Sequence, residues 1–261
     1  MATALKEVKR PQDVSDEEWD TRVELSACYR KDHKMGWDDH LATHISARVP
    51  GPEDHFLLNP YGMMFDEITA SSLVKIDVDG AIIGDSNGYS VNPAGFVIHS
   101  AVHMAAPHLL CALHTHTYAG VGVSCQKDGI LPLSQMQLVI WDEIAYHDYE
   151  GAAEQLDERE RIVADLGDKR MLVLRNHGLM TVGETIGEAF VHMYKLERAC
   201  RMQLHFQQAG AEWAEISDDT IRKTAEQGKR FSGKDGHRPV GTVEWDAFKR
   251  MLDRDDTSYR T

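Results

Sequence analysis

The chain has 261 residues, 42% of them hydrophobic and 27% charged, a composition typical of a globular protein with one large domain or two small ones. Its net charge of −14, without a polybasic run, disfavours nucleic acid and anionic membranes as partners. The four cysteines are widely separated and form no C-x-x-C pair, and no stretch has the character of a signal peptide or a membrane span, so we expect reduced thiols and a cytoplasmic protein.

The first half of the chain predicts one helix followed by short strands. Residues 1–14 are polar and are expected to form a flexible arm. Ser15 and Glu18 have the spacing of a capping box, which predicts a helix from about residue 16 to 34. Three apolar runs then predict strands, the last folding back at Asp79-Gly80 as a hairpin; they cover residues 44–49, 55–59 and 73–84.

The second half alternates helices and strands. The run AGFVIHSAVHMAA after Pro93 predicts a helix, and HLLCALHTH predicts a strand. Residues 171–183, MLVLRNHGLMTVG, predict a strand, a sharp turn and a second strand. Further helices are expected at 153–167, 184–209 and 243–252. This alternation, with a central hairpin, favours an α/β fold with a mixed sheet.

The composition also suggests how the chain divides. We predict a main domain over residues 15–227, after the N-terminal arm. A Gly-rich linker over 228–241 then leads to the short amphipathic helix, so residues 228–261 would form a C-terminal arm.

Two histidines stand at the end of a predicted strand. Because successive strand side chains point to opposite faces, His114 and His116 would lie side by side with Thr115 turned away. The chain has 14 histidines, so the pair alone proves little and favours neutral, hydrogen-bonded core histidines over a metal site. His177 follows another apolar run, in a turn allowed by Gly178, and could face the pair. Three histidines with a fourth position open to water are typical of a catalytic zinc site.

The order of these motifs resembles a known family. HTHTYAG, LRNHGLMTVGET, ITASSLVKID and NPAGFVIHSAVH, within residues 20–210, are similar to the class II aldolase/adducin family, especially its adducin-like branch. The resemblance implies a three-layer α/β/α domain with a mixed, mainly antiparallel sheet, as in fuculose-phosphate aldolase-type proteins, assembled as a homotetramer with active sites between subunits. It also implies that His114, His116 and His177 bind a divalent metal, zinc first, with Mn²⁺ or Co²⁺ as alternatives.

The chain departs from the sugar-phosphate aldolases where those enzymes grip phosphate and move protons. Their Ser-Ser-Glu stretch is replaced by Pro-Ala-Gly at residues 93–95. Thr43 and His44 stand where Gly-Asn is usual, and Tyr61 replaces a common threonine although Gly62 is kept. We take Thr43, His44, Tyr61 and Gly62 as candidate substrate-binding residues and expect no cleavage of phosphorylated sugars.

Other residues are candidates for the missing proton-transfer group. His99 and His103, one helical turn apart, would share a helix face, and Tyr118 could protonate a departing alkoxide. The alternatives are that one histidine caps a backbone carbonyl while the other is solvated, and that Tyr118 packs in the core.

Two further segments carry weaker signals. Glu143 and His147 could orient a ligand imidazole, or they could belong to a solvated loop. The acidic residues of LDERERIVADLGD are expected to form the wet face of a helix and to carry no chemistry.

Two functions remain open. The first is a metal-dependent lyase that cleaves or decarboxylates a small hydroxy-carbonyl compound; decarboxylation generates the enolate directly and needs no base. The second is a non-catalytic, adducin-like assembly protein. Adducins contact actin and membranes through a long basic tail that this sequence lacks, so actin binding is not expected.

Overall fold

A computed structural model of the protein describes residues 9–51, 55–151, 157–232 and 239–261. Most of the predicted arm (1–8), part of the helix predicted at 153–167 (152–156) and part of the predicted linker (233–238) lie outside these ranges. The described residues form eight α-helices and seven strands, in the order α1 (Asp16–Met35), β1 (His44–Arg48), β2 (Phe56–Leu58), β3 (Val74–Ile76), α2 (Pro93–Ala105), β4 (Cys111–Thr115), α3 (Tyr118–Ser124), α4 (Gln135–Leu138), β5 (Ile144–His147), α5 (Glu158–Leu166), β6 (Met171–Leu174), β7 (Gly178–Gly183), α6 (Ile186–Ala209), α7 (Asp218–Ser232) and α8 (Val243–Asp255).

The strands form one mixed sheet in the order β3-β2-β1-β4-β7-β6-β5. Every neighbouring pair is antiparallel except β5 and β6, which confirms the predicted mixed, mainly antiparallel sheet. The hairpin predicted at Asp79-Gly80 is reduced to a single bridge between Ile76 and Ile82 beyond β3. In the centre of the sheet, β1 pairs His44 with His114.

Helices cover both faces of the sheet because its inner strands are apolar on both sides. Leu113 of β4 belongs to a core shared with α1 and α6, whereas Ala112 belongs to a second core shared with α2 and α5. Since strand side chains alternate, His114 follows Ala112 onto the α2/α5 face. The result is the expected three-layer α/β/α arrangement, with His114 at the end of its central strand.

Local signals fix the helix that precedes this sheet. The Ser15 hydroxyl accepts a hydrogen bond from the Glu18 amide, as the capping-box spacing predicts. Gly36 ends the helix in the left-handed conformation, with φ of 69°. The chain can therefore turn at once towards the loop that carries Asp39.

The C-terminal part packs on the same chain. The linker predicted over residues 228–241 begins later than predicted, because α7 continues to Ser232. Trp245 and Phe248 of α8 pack against Phe190 of α6, with ring centroids 5.1 and 5.3 Å apart. The division at 227/228 stays a prediction. Among the helices of the described ranges, none is both long and apolar enough to cross a bilayer.

Candidate metal centre

Three elements bring the predicted ligands together. His114 lies in β4, His116 just beyond it, and His177 in the turn between β6 and β7. One ring nitrogen of each lies within 4.8 Å of the others, a spacing that a single metal ion can bridge. Gly178 permits this approach, since a Cβ atom built there would overlap the Thr115 carbonyl oxygen. The turn is completed by Asn176, whose φ of 58° is left-handed.

Hydrogen bonds fix which ring nitrogen of His114 and of His116 is free. His114 Nδ1 lies 2.9 Å from the Leu179 carbonyl oxygen, and His116 Nδ1 lies 3.1 Å from Asp39 Oδ2. Carbonyls and carboxylates only accept, so both Nδ1 atoms carry the proton and donate it. When both rings are neutral, their Nε2 atoms are bare, and these two atoms lie only 2.8 Å apart. Two lone pairs at this distance repel each other, and a cation between them would remove the repulsion.

Burial keeps the imidazoles of His114 and His177 neutral. It lowers the pKa of His114 well below its usual value, and the nearby His177 and His116 lower it further. Burial, followed by His116, lowers the pKa of His177 to about 4. Neutral nitrogens are the form that binds metal, so the residues present fit a divalent metal of the zinc type.

His44 and His99 extend the histidine cluster into the interior. The His44 ring lies 5.9 Å from that of His114 and 4.8 Å from that of His99. Burial, with a smaller effect of His116, lowers the pKa of His44 to about 4. As a substrate contact, His44 remains a prediction.

The two helix histidines share one partner, Ser46. Its hydroxyl lies 2.7 Å from His99 Nδ1 and 2.7 Å from His103 Nε2, and His103 Nδ1 lies 3.3 Å from the Leu109 carbonyl oxygen. Because the Leu109 carbonyl only accepts, His103 Nδ1 is the donor to Leu109. The Ser46 hydroxyl then donates to His103 Nε2, and His99 Nδ1 donates to the Ser46 oxygen. This order leaves His99 Nε2 bare. Both histidines are buried, so the solvated alternative is wrong for each.

The remaining predicted residues lie around the centre. The Thr43 hydroxyl accepts from the Asp39 amide at 3.4 Å, so it supports the loop that orients His116. The Tyr118 side chain is 99% exposed at the start of α3, which overturns the packing alternative. Tyr61, half exposed, and Gly62 form a turn after β2, two strands away from β4 in the sheet. Their roles as substrate or catalytic contacts stay predictions.

Two expectations for the far sheet edge are wrong. His147 is the last residue of β5 and is 4% exposed, not part of a solvated loop. Its Nδ1 lies 2.7 Å from Oδ2 of Asp165 in α5, a residue that is exposed, as predicted for the acidic face of this helix. Glu158 of the same helix is buried, so the prediction is wrong for that residue. Sequence reasoning missed Asp39 entirely, since its contact with His116 spans 77 positions of the chain.

With the geometry established, comparison with known proteins identifies the family. Residues 23–204 match the sequence model described as "Class II Aldolase and Adducin N-terminal domain". The chain belongs to the class II aldolase and adducin family. Within it, the chain is similar to a crystal structure of an aldolase II superfamily protein from Pseudomonas syringae, with 49% identity, a TM-score of 0.90 and coverage of 95% of this chain and 98% of that one.

Two further relatives mark the range of this family. An L-fuculose 1-phosphate aldolase from Glaciozyma antarctica has 27% identity, a TM-score of 0.81 and 97% coverage of both chains. Alpha-adducin of Mus musculus is 39% identical over 92% of this chain, which corresponds to 34% of the adducin. The family and the fold are thus shared by an enzyme and by an adducin.

Proposed function

We propose that this class II aldolase/adducin protein is a divalent-metal-dependent lyase, with zinc as the metal, that cleaves or decarboxylates a small hydroxy-carbonyl compound. The observation that carries the proposal is the pair of bare Nε2 atoms of His114 and His116, 2.8 Å apart with both Nδ1 protons committed elsewhere. Core histidines without a metal would not need two orienting acceptors that aim their lone pairs at one point.

The chain's own residues would divide the work. His114, His116 and His177 would hold the ion, while Asp39 and the Leu179 carbonyl keep two of the rings in the required tautomer. A metal bound there would polarise a carbonyl oxygen and stabilise the enediolate formed when an adjacent carbon–carbon bond breaks. With three protein ligands, a further coordination position is left for the substrate.

The substrate class follows from what the site lacks. The sugar-phosphate aldolases, as the sequence comparison above implies, use Ser-Ser-Glu where this chain has Pro-Ala-Gly in the first turn of α2. Side chains of residues 93–97 lie outside the described part of the structure, but Gly95 by its chemistry offers no carboxylate. We therefore propose an unphosphorylated carbonyl substrate, unlike the sugar phosphate named for the aldolase from Glaciozyma antarctica.

Assembly and location belong to the same proposal. We infer a homo-oligomer, as a tetramer, from the resemblance to the family. Cys28, Cys111, Cys125 and Cys200 are all unpaired, which supports a reducing, cytoplasmic location.

A non-catalytic assembly role is the second candidate. It is favoured by the 39% identity to alpha-adducin and by the absent Ser-Ser-Glu stretch. The oriented histidine centre favours the enzyme, because an assembly domain has no use for aligned metal ligands. Neither nucleic acid, membrane nor actin is proposed as a partner.

Elemental analysis of protein purified without chelator tests the proposal. Wild type, His116→Ala and the control His108→Ala, an exposed histidine, are compared after zinc add-back and dialysis. We expect about one zinc per chain in wild type and the control, and a loss in His116→Ala. Wild-type protein that retains no metal would refute the lyase and leave the assembly role.

A further inference from the structure

A large groove lies at the end of the sheet opposite to the metal centre. We propose that it binds a small hydrophobic ammonium ion, that is, a compound with an apolar body and a protonated amine. This α1/α8 groove is lined by, among others, Asp20, Glu24, Leu110, Trp245 and Asp246. Leu110 precedes β4 and His114 lies near its end, four residues or about 13 Å further along the strand. The groove is therefore a separate site, and it does not depend on the proposed lyase function.

The size and the walls of the groove suit a small molecule. Its volume is about 700 Å³, within the range of ligand sites in proteins. Leu110 is 40% exposed, so its side chain is accessible to a ligand that enters the groove. The apolar part of the wall is formed by Ala47, Val49, Pro50, Leu110, Ile186 and Trp245. A ligand with an apolar body would remove this surface from water.

Close backbone packing holds the groove in shape without a ligand. A Cβ atom built at Gly187 would lie 2.4 Å from the Gly241 carbonyl oxygen, so the first turn of α6 lies directly against the loop before α8. Gly241 has a left-handed φ of 84°, which brings the chain into α8 at this point. The Trp245 indole nitrogen then donates to Glu24 Oε2 at 2.5 Å and joins α8 to α1. Because the walls are tied together in this way, a ligand would not have to order them.

Carboxylates from two helices face the groove. Asp20 and Glu24 are one turn apart on α1, and Asp246 lies on α8. Lys249 lies 2.7 Å from Glu24 and 3.4 Å from Asp246, so one ammonium group serves two of the three acids. Asp20 makes no hydrogen bond or ion pair with any residue of the described ranges. The rim therefore keeps a negative charge that a cationic ligand would complement.

One cationic residue is found among the described residues that line the groove, but its charge is directed elsewhere. Ala47 and Val49, on either side of Arg48, belong to the core shared with α1 and α6. Because strand side chains alternate, the Arg48 side chain passes to the opposite face of the sheet. There its guanidinium lies 5.1 Å from the centre of the Phe56 ring and donates to the His103 carbonyl oxygen. Arg48 thus leaves the charge of the rim carboxylates in place, which disfavours an anion as the ligand.

Fluorine NMR of protein labelled with fluorotryptophan locates the binding site. The chain has five tryptophans, and the signal of Trp245 is assigned by its loss in Trp245→Phe. The probe is phenethylamine, compared with the neutral phenethyl alcohol and the anionic hydrocinnamate, which are similar in size. Isothermal titration calorimetry gives the affinity for each compound. Analytical ultracentrifugation follows the oligomeric state of every protein.

Leu110→Arg tests the apolar wall, because it places bulk and a positive charge in the groove. Met104→Arg is the matched control, since Met104 is an exposed apolar residue of α2 that does not line the groove. We expect phenethylamine to shift the Trp245 signal of wild type and of the control. In Leu110→Arg the affinity for phenethylamine should fall by about tenfold or more.

The double variant Asp20→Asn/Asp246→Asn tests the charge of the rim. Wild type should bind phenethylamine about 2- to 5-fold more tightly than phenethyl alcohol, the usual gain from exposed ion pairs, and hydrocinnamate most weakly. The double variant should bind the amine and the alcohol equally. Asp13→Asn/Asp218→Asn, which changes two exposed carboxylates away from the groove, should keep the preference of wild type.

Three results would overturn the proposal. The first is a Trp245 signal that phenethylamine at millimolar concentration does not move. The second is equal affinity of wild type for the amine and the alcohol. The third is dissociation of oligomers by Leu110→Arg but not by Met104→Arg, which would show that a second copy of the chain occupies the groove. If Leu110→Arg does not fold, the comparison of the three compounds on wild type and on the two double variants decides.

Discussion

His114 and His116 aim their Nε2 atoms at each other across 2.8 Å, while each Nδ1 donates to an acceptor outside the pair. The two acceptors differ in kind. Leu179 supplies a backbone carbonyl from the neighbouring strand, so the β4–β7 register itself fixes His114. Asp39 supplies a carboxylate from a loop, so His116 depends on one replaceable side chain. A single substitution, at Asp39, can therefore remove the group that orients the His116 ring.

Replacement of Asp39 should therefore weaken metal binding without removing a ligand. In Asp39→Ala, His116 loses the acceptor that holds its Nδ1 proton, and we expect zinc affinity to fall by about 10- to 100-fold. Competition with a chromogenic chelator measures the change. Asp38→Ala is the matched control, because the neighbouring carboxylate pairs with His33 instead. Equal zinc affinity in Asp39→Ala and wild type would show that this carboxylate does not orient the ligand.

Gly178 should tolerate no side chain. A Cβ atom there would overlap the Thr115 carbonyl oxygen and lie 3.2 Å from His116 Cδ2, so Gly178→Ala must push the β6–β7 turn away from β4. We expect a loss of about 1–3 kcal/mol in the free energy of unfolding, measured in urea, together with loss of bound zinc. Gly122→Ala serves as the control, since its new methyl would meet only the flexible Leu204 side chain at 3.1 Å. A stable, zinc-replete Gly178→Ala protein would contradict the tight approach seen here.

The cluster of His114, His116 and His177 was predictable because each of these histidines carries its own local signal. His114 and His116 end an apolar strand pattern, and His177 sits at a turn marked by Gly178. The strands of the sheet were predictable for the same reason, since long apolar runs are a strong signal of secondary structure in the sequence. A family resemblance then joined three separate signals into one site, which periodicity alone does not do.

The partners of these ligands were not predictable in this way. Asp39 lies in a polar loop, and nothing within its own segment points to His116, 77 positions away. His147 ends a four-residue strand flanked by acidic residues, and a run this short does not distinguish a buried edge strand from a solvated loop. Only the alternation of Ala145 and His147 hinted that the imidazole faces inward. The docking of α5 over that face, a tertiary event, decides its burial.

Glu197 should make stability depend on pH. Burial raises the pKa of this carboxyl to about 7, although the hydrogen bond from the Thr117 hydroxyl, at 2.5 Å, lowers it in part. The folded protein therefore keeps the proton at pH values where the unfolded chain, at its ordinary pKa of 4.5, has lost it. Below about pH 4.5, Glu197 therefore contributes about 3 kcal/mol to the free energy of unfolding. This contribution is lost as the pH rises to about 7.

Glu197→Gln keeps an acceptor for Thr117 and removes the ionisation. We expect the difference in free energy of unfolding between variant and wild type to grow in favour of the variant from pH 5 to pH 7.5, measured by urea denaturation at several pH values. Carboxyls whose pKa does not depend on Glu197, such as that of Glu188, contribute equally to both proteins and cancel in this difference. A difference that stays constant over this range would mean that Glu197 is ionised in the folded state.

The C-terminal helix α8 packs on the core of its own chain. Trp245 is buried against Phe190 and donates from its indole nitrogen to Glu24 Oε2 at 2.5 Å, so α8 closes the core formed by α1 and α6. Trp245→Ala should lower the free energy of unfolding by about 3–5 kcal/mol, the usual loss for a buried tryptophan. Val243→Ala, at an exposed position on the same helix, should change it by less than about 0.5 kcal/mol. If Trp245→Ala were as stable as the control while oligomers dissociated, α8 would serve a neighbouring subunit rather than its own core.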